Sequence, residues 1–273
     1  MINMTVITKI TTQKKNADRF NIYIDQGKGE EYGFSVDTDI LIQFKLKKGL
    51  EINTEELKNL LYEDEIKKGF NTSLQYLSFR MRSVKEVRDY LKKKEYEDNA
   101  IEEVIKRLLE YRYLDDAEFA LMFVRTRKNT TSKGVGVITR ELSQKGIPQP
   151  VIEKAMKEFP LEEQIEAAVS FAQKKANQNK GLSSNERRNR ISQQLLQKGH
   201  SWDVIEEALG NIDLKSSREE EMEALLKQAN KAHRRYKKFS GLQYRNKMKQ
   251  HLYGKGFPID LIDEVLNSDF TDQ

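Results

Sequence analysis

The chain has 273 residues, of which 37% are hydrophobic and 33% charged, with a formal net charge of +5 and a mean hydropathy of −0.76. It contains no cysteine, which excludes disulfides, thiol nucleophiles and cysteine-held zinc or iron–sulfur centres. There is no run of about 18 apolar residues and no basic segment followed by an apolar one at the N-terminus, so a soluble, unexported, cytoplasmic protein is expected.

Residues 1–71 read as a small β-containing domain. Phe20, Ile22 and Ile24 alternate with Asn21, Tyr23 and Asp25, the period of a half-buried strand. Thr5 to Gln13 and Tyr32 to Val36 are its expected partners in a hairpin or small antiparallel sheet. Asp37 or Thr38 is placed to cap a short helix containing Ile40, Leu41 and Phe44 and closed by Gly49. Asn53 or Thr54 then starts another helix, with Glu55 and Glu56 in its first turn.

Beyond this the chain repeats itself. Lys145-Gly146, Lys198-Gly199 and Lys255-Gly256 each end one apolar-periodic run and precede another, with the glycines 53 and 57 residues apart. Registered on the glycines, Ile138, Ile191 and Met248 align, as do Leu142, Leu195 and Leu252, an i, i+4 stripe on one helix face. Downstream, Val151-Ile152, Val204-Ile205 and Leu261-Ile262 align at helical spacing. A fourth, degenerate copy has Glu95 in the glycine position, Val87 and Leu91 upstream, and Ala100-Ile101 and Val104-Ile105 downstream.

A further helix-like run precedes each pair, at Leu74 to Met81, Ala117 to Arg127, Leu161 to Lys175 and Arg218 to Lys238. The expected architecture is mainly α: tandem three-helix repeats at 72–114, 115–160, 161–213 and 214–273, forming an elongated, curved array behind the β-containing domain. Glycine at each turn supplies a left-handed C-cap, and Pro148 or Pro258 just beyond discourages continuation.

Enzyme chemistry has little support. The run Lys133-Gly134-Val135-Gly136 lacks the third glycine and the preceding strand of a dinucleotide site, and no phosphate loop occurs. His200, His233 and His251 lack metal-ligand spacing, and no nucleophile elbow is present. No catalytic, cofactor or metal residues are therefore assigned, and no cofactor is expected. Adjacent Asp115 and Asp116 could in principle bind a divalent ion. The reading with more mechanism makes Asp115 an N-cap, Glu118 its capping-box partner and Leu114 a staple on Phe119.

The informative charge pattern lies near the C-terminus. From Lys227 to Lys255 there are ten Lys or Arg residues and no Asp or Glu, a polyanion-contact signal because solvated helix faces ordinarily mix signs. Arg234, Arg235, Lys237, Lys238, Arg245, Lys247 and Lys249 are the leading contact candidates, followed by Lys92 and Lys93 and by Arg187, Arg188 and Arg190. A helix-turn-helix reading is disfavoured, because the would-be recognition helices carry Glu102-Glu103, Glu153, Glu206-Glu207 and Asp263-Glu264, which would face phosphates with like charge.

The motif Tyr113-Leu114-Asp115-Asp116 with Phe119-Ala120, set among tandem three-helix units and Lys-Gly turns from about Leu74 to Leu266, resembles the RecX family of bacterial RecA regulators. Lys9-Ile10, Gln13-Lys14-Lys15 and Arg19-Phe20 are similar to the N-terminal segment of the long Gram-positive members. The resemblance implies a non-enzymatic, cytoplasmic and monomeric protein that binds RecA within the groove of its filament on single-stranded DNA. It would modulate RecA activity in recombination, DNA repair and the SOS response, with direct DNA contact an added expectation. Two rivals stay open: a RecA-independent nucleic-acid-binding repeat protein, and a helical scaffold for another partner. Arg112 stands where many relatives have glycine, and a left-handed arginine would cost up to about 1 kcal/mol.

Overall fold

The alternation in the first fifty residues builds a four-stranded antiparallel sheet. In the computed structural model, which describes residues 4–14, 16–179, 181–214 and 217–268, β1 (Met4–Thr12), β2 (Arg19–Asp25), β3 (Glu30–Asp37) and β4 (Glu51–Asn53) lie in the order β3-β2-β1-β4. Ile7 pairs with Ile24 and Ile10 with Ile22, and Ile7, Ile22, Ile24, Val36, Ile52 and Leu60 share one core. The sequence reading missed β4. Three residues cannot display an alternation, and the strand exists because Met4, Thr5 and Val6 offer it an edge opposite Asn53, Ile52 and Glu51. Lys15 of the N-terminal family segment lies outside the described residues.

Asp37 caps α1 (Thr38–Gln43), accepting from the Asp39 N–H at 3.1 Å. The helix stops before the expected Gly49: Lys45 takes a left-handed φ of +49°, and the Leu46 N–H returns to the Leu41 carbonyl. Asn53 and Glu56 form a complete capping box at the start of α2 (Thr54–Leu77). Sequence periodicity suggests two separate runs here. The structure has one unbroken helix of 24 residues passing through residues 71 and 72, so the first three-helix module borrows the end of a helix that begins against the sheet.

That module continues with α3 (Val84–Lys93) and α4 (Asp98–Glu110). It is followed by α5 (Asp116–Thr130), α6 (Val135–Gln144) and α7 (Gln149–Met156); by α8 (Leu161–Gln178), α9 (Ser184–Gln197) and α10 (Trp202–Gly210); and by α11 (Arg218–Tyr236), α12 (Gly241–Gly254) and α13 (Ile259–Asn267). The aligned apolar positions are the cores. Val87, Leu91, Ile101, Val104 and Ile105 cluster in the first module, Ile191, Leu195, Val204 and Ile205 in the third, and Met248, Leu252, Leu261 and Ile262 in the fourth. Ile138, Leu142 and Ile152 are buried in the second. The chain forms two compact units, Met1–Phe119 with Lys145–Ile147, and Ala120–Gln144 with Pro148–Gln273.

The Lys-Gly turns do more than end helices. Gly146, Gly199 and Gly256 have φ of +80°, +86° and +80°, and the degenerate Glu95 follows them at +63°. A Cβ on Gly146 would lie 2.7 Å from the Lys85 Cβ, one on Gly199 2.4 Å from the Val137 nitrogen, and one on Gly256 3.0 Å from the Asn185 Cβ. Each glycine is thus required twice, by its own backbone and by the start of another second helix lying against it.

The contact is built on hydrogen bonds to that helix start. The Ser83 hydroxyl donates to the Lys145 carbonyl at 2.7 Å, the Gly134 N–H to the Lys198 carbonyl at 2.8 Å, and the Ser183 hydroxyl to the Lys255 carbonyl at 2.6 Å. A turn carbonyl is therefore seated at the positive end of a helix. Lys145 reaches Glu86 at 2.7 Å and Lys255 reaches Glu186 at 3.5 Å. Burial by itself raises the Glu86 carboxyl, but hydrogen bonds from Arg80, Lys145 and the Ser83 N–H outweigh it and bring the pKa from 4.5 to about 2.

Two outcomes test this account. Glu95→Gly should raise unfolding free energy by up to about 1 kcal/mol by relieving a left-handed glutamate, whereas Gly199→Ala should lower it by about 2 kcal/mol or more through strain and collision; urea unfolding reads both. Because the folded pKa of Glu86 is depressed, its stabilisation is present in full above pH 4.5 and disappears as pH falls towards 2. The stability gap between wild type and Glu86→Gln should be widest above pH 4.5 and close on acidification, as followed by circular dichroism.

Candidate partner-binding surface

The paired carboxylates at the start of α5 are consumed by backbone. Asp115 accepts from the Ala117 and Glu118 N–H groups at 2.8 and 3.0 Å, the N-cap geometry the sequence suggests. Its neighbour has a task that sequence spacing did not reveal: Asp116 accepts from the Val84 N–H at 2.9 Å, a helix start 32 residues away in sequence. Burial raises the pKa of Asp116, and the Val84 bond opposes the rise. Glu221 repeats the arrangement, accepting from the Ser184 N–H at 3.1 Å and its hydroxyl at 2.8 Å. Leu114 packs into the first module's core, and Phe119 is buried with the Lys145 ammonium 5.8 Å from its ring centroid. Among the described residues no group of three or more His, Asp or Glu side chains is placed to hold a metal ion, and no helix is long and apolar enough to cross a membrane.

The structure sorts the basic candidates by what already neutralises them. Lys249 pairs with Asp263 at 2.7 Å, Arg245 hydrogen-bonds Asn267, and Lys227 and Lys255, which bound the acid-free span, pair with Glu223 and Glu186, while Lys231 is exposed without a carboxylate partner among the described residues. Arg234, Arg235, Lys237, Lys238 and Lys247 are exposed and have no carboxylate partner among the described residues. The acid-free span therefore contains a real surplus of positive charge, concentrated at the end of α11, the connector and the first turns of α12.

Aromatic side chains support that surplus. Lys238 and Lys247 hold their ammonium groups 5.4 and 4.7 Å from the Phe239 ring centroid, and the Arg235 guanidinium lies 5.5 Å from that of Tyr236. Tyr236 and Tyr244 pack against the fourth core, while Tyr253 remains exposed. At the head of α12, Ser240 makes no side-chain capping bond, unlike Ser83 and Ser183 at the earlier second helices.

The other candidates divide. Lys92 pairs with Asp98 at 2.9 Å and Arg188 with Glu206 at 2.6 Å, while Lys93 and Arg190 are exposed without a carboxylate partner among the described residues. Arg187 must be withdrawn from the exposed set. It is only 7% accessible, its guanidinium approaches the Leu182 carbonyl at 3.4 Å, and it lines a cavity of about 270 Å³ with Glu220 and Glu223. Counting charge along the sequence could not separate a basic side chain folded inward from its exposed neighbours.

Comparison with known proteins places this arrangement. Residues 5–53 match the family model for the regulatory protein RecX N-terminal domain. Residues 70–108 and 115–156 match the first and second RecX three-helix domains, and residues 162–209 and 219–266 each match the third. The regulatory protein RecX of Bacillus subtilis (strain 168) is 46% identical over 266 residues, covering 97% of this chain and 99% of its own length; that of Halalkalibacterium halodurans is 46% identical over 265 residues, covering 97% and 100%. Among solved structures, a regulatory protein RecX superposes with a TM-score of 0.65 at 33% identity, over 76% of this chain and all of the other. RecX from Lactobacillus salivarius superposes with a TM-score of 0.53 at 37% identity, over 56% and 99%.

Proposed function

Because the chain belongs to the RecX family of regulatory, non-enzymatic proteins, we propose that its target is RecA assembled on single-stranded DNA, and that it modulates RecA activity by lying along that assembly. The observation that carries the reading is the unneutralised basic surface on α11 and α12, at the end of a run of structurally equivalent modules. The modules, taken as 72–114, 115–160, 161–213 and 214–273, act as separate weak contacts to successive subunits of a repeating target. Once one is engaged, effective concentration supplies affinity for the rest without any deep pocket.

Arg234, Arg235, Lys237, Lys238 and Lys247 supply attraction to phosphate or to acidic protein surface, with Lys93 and Arg190 as smaller contributors. Exposed cations act through a screened field, so this part of the affinity falls with salt. Lys249 and Arg245 act differently: their polar partners lie on α13 or at its end, so replacing them disturbs the module as well as the surface. The same basic surface favours one other reading, direct nucleic-acid binding that needs no RecA.

The deciding experiment is RecA ATPase and strand exchange on single-stranded DNA with and without the protein. A concentration-dependent change in either is expected, and no effect over a wide concentration range overturns the proposal. Binding to DNA alone, with RecA activity untouched, would favour the second reading. Reversing Arg234, Arg235, Lys237, Lys238 and Lys247 to glutamate should weaken filament binding by about 10-fold or more at moderate salt and flatten its salt dependence, with helicity retained by circular dichroism.

A further inference from the structure

Two tyrosines at the end of α4 stay out of every core. Tyr111 is 67% and Tyr113 53% exposed, yet neither is loosely held. Each meets Phe70 edge-on, with ring centroids 5.9 and 6.0 Å apart and interplanar angles of 74° and 76°. The backbone between them is locked: Arg112 donates to the Leu109 carbonyl at 3.0 Å and Tyr113 to the Leu108 carbonyl at 2.8 Å, and Arg112 has a φ of +58°. Leu114, one residue on, is buried and anchors the turn.

This left-handed residue joins two rings that both pack against Phe70. A glycine would close the same turn without strain, so the arginine is held at a cost that chain reversal alone does not require. Its side chain is exposed and, among the described residues, has no ion-pair partner.

Phe70, Tyr111 and Tyr113 line a cavity of about 260 Å³ together with Lys67 and Arg107. Two of the cations here are already engaged, Arg107 with Glu63 at 2.9 Å and Glu103 at 3.3 Å, and Lys67 with Asp39. Arg112 is left as the attractive charge. The combination is an aromatic slot open to solvent, preorganised by a fixed backbone turn, with an exposed arginine between its two tyrosines in the chain. A planar ring that arrives attached to an anion fits both features, and single-stranded nucleic acid supplies one phosphate with every unpaired base.

We propose that this cavity is a stacking subsite for one unpaired nucleobase of single-stranded nucleic acid. Tyr113 and Tyr111 hold the base, and Arg112 contacts its flanking phosphate. The inference rests on the filament reading only for the identity of the strand, because the slot acts without RecA. It lies in the first unit, whereas the exposed basic surface lies on α11 and α12 in the second.

The test uses the full chain without RecA and an oligothymidylate carrying one 2-aminopurine, at low ionic strength. Binding should quench the 2-aminopurine fluorescence. Replacing both tyrosines by alanine should abolish the quench and raise Kd by about 10-fold or more, while Tyr113→Phe should preserve both. Arg112→Gly should raise Kd a few-fold and reduce the slope of log affinity against log salt by about 0.7, while its thermal midpoint rises because the strain is gone. A residue with only a structural role would not separate binding from stability in this way.

Quenching and affinity unchanged in the double-alanine variant, or in Arg112→Gly should the former not fold, overturn the proposal. So does loss of RecA modulation in these variants with oligonucleotide binding intact, which would make the slot a protein contact. A wild-type protein that alters RecA activity but never quenches the base defeats the stacking subsite and leaves the filament reading standing.

Discussion

The seating of a turn carbonyl at the start of another second helix is the constraint on which the repeat depends. A helix start leaves N–H groups without partners and carries the positive end of the dipole, and a helix end has the complementary need. At Ser83, Gly134 and Ser183 the protein satisfies one with the other, using the carbonyls of Lys145, Lys198 and Lys255. Asp116 and Glu221 add a carboxylate to the starts at Ser83 and Ser183. The glycine of each turn follows from the closeness of approach, so the Lys-Gly signature reports contact between modules as much as the end of a helix.

The first and fourth copies depart from this pattern. Glu95 holds the same left-handed backbone as the three glycines and is exposed, so only its own strain opposes a side chain there. In the fourth copy Ser240 has no side-chain capping bond, and in place of a glutamate that receives lysine, as at Glu86 and Glu186, the sequence has Gln243 between Lys237, Lys238 and Lys247. The copy at Glu95 lacks the glycine, and the copies starting at Gly134 and Ser240 lack the acid, with Val137 and Gln243 in its place.

Much of this was legible in the sequence because it is periodic. The apolar offsets around Gly146, Gly199 and Gly256 identified the second and third helices of the modules, including the degenerate copy at Glu95, and the caps at Asp37, Asn53 and Asp115 were readable from short-range chemistry. What escaped had no local signal. β4 is three residues long and exists through its partner strand. The continuity of α2 across residues 71 and 72 is set by packing: Gly69 leaves only 3.0 Å for a Cβ beside Val104. Asp116 and Arg187 look like any surface charge until distant chain is laid against them. Tyr113 was read only as part of a motif and Tyr111 not at all, because their convergence on Phe70 requires a backbone conformation that arginine rarely adopts.

The distribution of neutralisation separates stability from binding in this chain. Many of its exposed cations have a carboxylate within reach, including Arg125 with Glu158 and Arg218 with Glu264. Exposed pairs of this kind contribute little to stability, of the order of 0–1 kcal/mol each, but they cancel the field that would attract a polyanion. Leaving Lys231, Arg234, Arg235, Lys237, Lys238, Arg245 and Lys247 without a carboxylate partner among the described residues therefore costs the fold almost nothing and retains a local potential that the net charge of +5 spread over 273 residues would not supply. Glu86, Asp116 and Glu221 have the opposite use: their charges are turned inward onto helix starts, where they hold modules in register and are unavailable to a partner. Acidic residues at helix starts in this protein organise the repeat, and basic residues without partners are what it offers to the outside.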